Sequence, residues 1–95
     1  MPNFNFYNVE IVKAEGSNQV AVKGEIENRS GRNYSAVAVR IVLFVKNIPV
    51  ANLVLVVNGL GTGRTKGFEK ILEELEYDKI AQDINRHEIY VESAY

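Results

Sequence analysis

The chain has 95 residues, of which 46% are hydrophobic and 24% charged, with a formal net charge of -1. This is the composition of one folded domain over residues 1–95 rather than of a disordered segment. Eleven Lys and Arg against twelve Asp and Glu lack the basic excess of a dedicated nucleic-acid binder, and the absence of cysteine with a single histidine excludes disulfide scaffolds, thiol chemistry and multi-histidine metal sites within one chain.

The N-terminus, Met-Pro-Asn-Phe-Asn-Phe-Tyr-Asn, has no basic stretch followed by an apolar run, so no signal peptide is expected in it. Read as it stands the chain is cytoplasmic, and a domain excised from an exported or cell-envelope protein would look the same. A first strand is expected over residues 8–13, with Val9, Ile11 and Ala14 as its apolar points. Glu15-Gly16-Ser17-Asn18 is a turn, because Gly and Asn tolerate positive φ. Val20, Val22 and Ile26 then share one face of a strand and Ala21, Lys23, Glu25 and Glu27 the other, a period of two that marks a half-buried strand. Gly24 falls on the inward set, where a neighbour is expected to pack close to the backbone.

After a polar loop at residues 28–33, Val37, Val39, Ile41 and Leu43 line one face of a long strand, and Ala36, Ala38, Arg40, Val42 and Phe44 the other. A turn at residues 46–49 leads to a strand over 50–57, with Leu53, Leu55 and Val57 on one face and Val54 and Val56 on the other. The longest uncharged run, residues 47–63, contains Pro49, Asn52, Asn58 and three glycines, and reads as a buried strand rather than a membrane span of about 20 apolar residues. Up to Lys66 there are eight basic and four acidic residues, and from Gly67 three basic and eight acidic. Residues 63–72 are read as strand, although Phe68, Ile71, Leu72 and Leu75 also follow helical spacing. Asp78 is a candidate cap for a short helix reaching Ile84, with Ile80, Ala81 and Ile84 inward. A last strand over residues 88–94 would place Ile89, Val91 and Ser93 together and Tyr90 and Glu92 opposite.

Six short strands with regular turns and one late helical segment predict an all-β, immunoglobulin-like antiparallel sandwich with a short helical crossover. Val22-Lys23-Gly24-Glu25-Ile26-Glu27-Asn28 resembles the V-x-G-x-V-x-N strand of FxLYD domains. Ile41-Val42-Leu43-Phe44-Val45 falls where that family carries Phe-x-Leu-Tyr-Asp, and Leu60-Gly61-Thr62-Gly63-Arg64-Thr65-Lys66-Gly67-Phe68-Glu69 resembles its L-x-P-G-E-T-x-x-F-E segment. The Asp of the name is Val45 here and the usual Pro is Thr62. The resemblance implies an immunoglobulin-like sandwich of a kind common in bacterial and archaeal exported proteins, and it carries over no catalytic residue.

The chemistry-bearing motifs are sparse. The glycine run at residues 59–66 lacks the Gly-Lys-Ser/Thr ending and the βαβ setting of a phosphate loop, and reads as a solvent loop joining two strands. His87 has no sequence-evident partner for metal binding or general acid–base work. Ser17, Ser30, Ser35 and Ser93 lack a nucleophile-elbow context. The acidic cluster Glu69, Glu73, Glu74, Glu76 and Asp78 lacks calcium-loop spacing. Asn28-Arg29-Ser30 and Asn33-Tyr34-Ser35 match the N-glycosylation pattern. No catalytic, cofactor-binding or metal-ligating residue is assigned, and no cofactor is expected.

Val42, Phe44, Val54 and Val56 form an apolar second face on the two central strands, where an open sheet ordinarily shows polar residues. Burying four such side chains contributes on the order of 6–10 kcal/mol before entropy costs. Either the late segment around Leu72, Leu75, Ile80 and Ile84 folds over this face, or it pairs with another protein or a second copy. The function expected is therefore a non-enzymatic interaction or structural module, binding an unidentified protein or itself through this face or an edge strand. The alternative is a small-ligand or carbohydrate binder using the loops at one end, with Arg29, Arg32 and Arg64 in contact.

Overall fold

The computed structural model describes residues 3–95. It has six strands: β1 (Phe4–Lys13), β2 (Gln19–Asn28), β3 (Tyr34–Val45), β4 (Ile48–Leu60), β5 (Thr65–Glu76) and β6 (Arg86–Ala94). Between β5 and β6 lie a one-turn helix, α1 (Tyr77–Ile80), and a 3-10 turn over Ala81–Asp83. The strands make two three-stranded sheets in the orders β1-β2-β5 and β4-β3-β6, with antiparallel pairing throughout. Strands A, B, E and C′, C, F of immunoglobulin domains stand in these orders. The fold is thus the all-β sandwich with a helical crossover that the strand pattern predicts.

The core lies between the middle strands. Val20, Val22 and Ile26 of β2 face Val37, Val39, Ile41 and Leu43 of β3, and none of the seven is more than 1% exposed. The alternation in both segments dictates this, because period-two apolar residues can all be buried only by turning one sheet face inward. Leu55, Val57, Leu60, Leu72 and Val91 complete the core from the flanking strands.

Several strands run longer than their alternation shows, because bulges reset which face the side chains meet. In β1, Tyr7 pairs with Glu25 and Glu10 with Lys23, so Asn8 and Val9 together oppose Gly24. Asn8 takes a positive φ of 53°. Phe4 and Phe6 before the bulge and Val9 and Ile11 after it all join the core, although their numbering changes parity. The strand therefore starts at Phe4 rather than at residue 8. In β6, Val91 pairs with Val39 but Ser93 with Ala38. Glu92 is the extra residue, so Ser93 leaves the face it was expected to share with Val91. β5 runs to Glu76, and it turns Phe68 and Leu72 toward the core while Ile71 is exposed. The strand reading over 63–72 is met with both ends shifted, the start to Thr65 and the end to Glu76.

The crossover closes one end of the sandwich. Tyr77, Ile80, Ala81 and Ile84 pack against the core, as the helical spacing predicts for three of them. Asp78 is not the cap. Glu76 occupies that position without a side-chain bond, and Asp78 exchanges bonds with Asn18 instead. Asn18 Nδ2 donates to Asp78 Oδ1 at 2.7 Å, the Asp78 N–H donates to Asn18 Oδ1 at 3.1 Å, and the Tyr77 N–H donates to the Asn18 carbonyl at 2.7 Å. The crossover is thereby tied to the β1–β2 turn.

The close approach expected at Gly24 is present. A Cβ there would stand 2.9 Å from Phe68 Cζ, 3.1 Å from Val9 Cγ2 and 3.3 Å from the Tyr7 carbonyl oxygen. Phe68 is held edge-on against Phe6, with ring centroids 6.4 Å apart. Gly24→Ala is expected to cost about 1–3 kcal/mol through overpacking, read as a lower urea midpoint. Adding Phe68→Leu, which removes the nearest atom, should recover part of the loss.

Candidate interaction surface

The outer face of the β4-β3-β6 sheet is built from every second residue of β3 and its neighbours. Its register places Val42 between Asn52 and Glu88, Arg40 between Val54 and Tyr90, and Phe44 between Pro49 and Arg86. Of the four apolar residues expected here, Val42 and Phe44 are only 8% and 9% exposed, whereas Val54 and Val56 are 37% and 54% exposed. The four lie on one face as the alternation requires, but only the β4 pair is open to a partner.

The cover over Phe44 comes from its own sheet. The Arg86 guanidinium sits 3.8 Å from the Phe44 ring centroid, a cation–π contact, and is paired to Glu88 at 2.9 Å. Arg40 spans the sheet, with Nε and Nη2 donating to Glu92 Oε1 at 3.1 and 2.8 Å and Nη1 to Asn52 Oδ1 at 2.7 Å. The late apolar segment does not provide this cover. Leu72 is buried in the core, and Leu75, Ile80 and Ile84 pack against that core. The residues that sequence reasoning missed are Arg40 and Arg86, whose roles depend on strands far apart in sequence. The signal available was a charged residue at Arg40, in the middle of an otherwise apolar run.

β4 also presents an edge. Its 13 residues, IPVANLVLVVNGL, carry no charge. The other three edge strands are all charged. β1 has Glu10, Lys13 and a bulge, β6 has Arg86, Glu88, Glu92 and a bulge, and β5 alternates Lys66, Glu69, Lys70, Glu73, Glu74 and Glu76. Lys66 and Lys70 share the parity of the core-facing Phe68 and Leu72. Inward-pointing charges, bulges and edge lysines are the devices that discourage another strand from docking. β4 has Pro49 and a bulge at Val50 near its start and Lys66 Nζ on the Asn58 carbonyl near its end, and between them residues 51–57 carry none.

The remaining candidates resolve into structural roles. Asn28 is fully buried, its Nδ2 donating to the Arg32 and Leu60 carbonyls at 2.7 and 3.0 Å and its Oδ1 accepting from the Ser30 N–H and hydroxyl at 2.9 and 2.7 Å. It locks the β2–β3 loop to the end of β4, which leaves this glycosylation-pattern Asn inaccessible. In the glycine run, the N–H groups of Thr62, Gly63 and Arg64 donate to Asn33 Oδ1, the Asn28 carbonyl and the Gly61 carbonyl, so they do not converge on an anion. His87 is exposed on β6. Among the described residues no group of three or more His, Asp or Glu side chains is arranged to hold a metal ion, and no helix is long and apolar enough to cross a membrane.

On the outer face of the other sheet, the Tyr7 hydroxyl donates to Glu27 Oε1 at 2.8 Å and Asn5 Nδ2 donates to the same oxygen at 3.4 Å. The Tyr7 bond, aided by Asn5, holds the Glu27 carboxyl below its ordinary value, and the same bond raises the Tyr7 phenol.

No family model, curated protein or solved structure matches the chain.

Two outcomes are expected. Phe44→Ala should cost about 3 kcal/mol, the low end for a buried Phe, whereas Val56→Ala at an exposed position should stay within about 0.5 kcal/mol; chemical denaturation separates them. A carboxylate at position 44 would be paired by Arg86, so the alanine change is the cleaner test. Second, the stabilisation from Glu27 is present above the ordinary glutamate range and lost as pH falls through its depressed folded value. That from Tyr7 is present below the ordinary tyrosine range and lost as pH rises through its raised value. Glu27→Gln should return the Tyr7 titration toward its ordinary position in a site-resolved NMR titration.

Proposed function

We propose that the protein is a non-enzymatic interaction module that binds a partner by strand addition along β4, with the adjoining apolar outer face as the specificity surface. The observation that carries this reading is the contrast between β4 and the other edges, one uncharged strand of 13 residues among three that carry charges. Strand addition supplies affinity through main-chain hydrogen bonds and selectivity through alternate side chains. Here those side chains are Asn52, Val54, Val56 and Asn58, with Val42 behind them on β3.

The FxLYD resemblance forms part of the same proposal. Residues 22–28 are most of β2, residues 41–45 end β3, and residues 60–69 run from the end of β4 into β5. Asn28, the last residue of the first motif, bonds the carbonyl of Leu60, the first residue of the third. That bond accounts for the amide at Asn28, and burial in the core accounts for the apolar side chain at Leu60.

The test is a panel of uncharged, β-branched heptapeptides titrated into dilute protein, read by backbone amide shifts. Perturbation confined to β4 and the facing residues of β3 is the expected result. No binding by any peptide would overturn the proposal. So would shifts centred on Arg29, Arg32 and Arg64, which would move the site to the loops and favour a small ligand or carbohydrate.

A further inference from the structure

The partner for this edge is written into its own sequence. On the outer face β4 reads Asn52, Val54, Val56, Asn58, a palindrome centred on Leu55. We infer that β4 pairs antiparallel with β4 of a second copy about a two-fold axis at Leu55, joining two three-stranded sheets into one of six strands. This rests on the strand-addition reading above and names its partner.

The backbone directions fit. The Tyr95 N–H donates to the Ala36 carbonyl from the β6 side of β3, so Ala36 turns its main-chain groups away from β4. Its register partner Asn58 therefore turns its own away from β3, toward the open edge. Lys66 Nζ, reaching across from β5, donates to that same Asn58 carbonyl. Residues two apart along a strand share this direction, so Asn52, Val54 and Val56 present N–H and C=O groups outward as well. Centred on Leu55, Val54 stands opposite Val56 of the second copy and exchanges both main-chain bonds with it, and Asn52 stands opposite Asn58. Asn52 already accepts from Arg40 through Oδ1, which leaves its NH2 to donate across the axis.

The other registers are poorer. A shift that centres the axis on Val54 or Val56 puts an amide opposite an apolar side chain on both sides, and an odd shift turns one copy's outer face toward the other's core face. Self-pairing also suits an uncharged strand in particular. A two-fold axis places like residues near like residues, which would oppose like charges on β5 or β6 and costs nothing on β4. Strand pairing alone buries less than a standard-size interface, which places the dimer among weak, concentration-dependent associations.

The experiment is sedimentation equilibrium on the full chain from micromolar to millimolar concentration, with variants at two exposed positions whose folding is checked by circular dichroism. The wild-type mass should rise toward twice that of the chain. Val54→Lys with Val56→Lys places like charges opposite each other twice and should weaken the dimer about tenfold or more. Val54→Lys with Val56→Glu places opposite charges face to face only when the axis is at Leu55, and should restore it. A wild-type chain that stays monomeric at millimolar concentration would overturn the dimer, while binding of heptapeptides would still uphold strand addition. A dimer insensitive to the two lysines, or one that the mixed pair fails to restore, would overturn this interface and its register.

Discussion

A sheet of three strands has one interior strand and two edges, and this protein is made of two such sheets. Four of its six strands therefore leave one side of their backbone unpaired within the fold. That shortage of interior strands sets the rest of the design. Most of the deep burial is concentrated on β2 and β3, the only strands paired on both sides, with Leu60 of β4 buried as deeply. The four edges must be managed by other means, because unpaired N–H and C=O groups in a row are a template for another chain. Bulges on β1 and β6 and the lysines of β5 are answers to this one constraint.

The two ends of the sandwich are closed by polar devices rather than by more strand. At one end, Asn28 satisfies carbonyls from two loops with a single amide. At the other, Asn18 and Asp78 exchange two bonds across 60 residues of sequence. A buried amide with all its partners present, as Asn28 has, fixes a unique arrangement, since any shift of its loop would leave a polar group without water or partner; the Asn18–Asp78 pair is exposed and guides the crossover more weakly.

What the sequence reveals of this fold follows from what alternation can encode. β2 and β3 are legible because their inward residues keep one parity for the whole core-facing length. β1 is half legible, since the bulge at Asn8 and Val9 changes parity and hides Phe4 and Phe6 from a period-two reading. The face of Ser93 is misread for the same reason, one residue after Glu92. Asp78 has the residue type of a cap, yet the tertiary partner Asn18 takes it. At the surface, the shared face of Val42, Phe44, Val54 and Val56 is legible, and the split in their exposure is not. Arg86 lies 42 positions from Phe44 in sequence, and only the register of β6 on β3 brings the two together.

The strand order also governs how the chain can reach its native state. β1–β2 and β3–β4 are hairpins whose strands follow each other directly, and each belongs to a different sheet. Their closure needs only short loops. β5 and β6 must instead return across long stretches of chain to dock on β2 and β3, which is entropically costly and slows folding. Until β6 arrives, the β3–β4 hairpin has two open sides instead of one, and the side that β6 will take is lined by the most apolar strand of the protein. The late strands are therefore chaperones of the hairpin as much as parts of the sandwich, and the interval before they dock is when the chain is most exposed to aggregation.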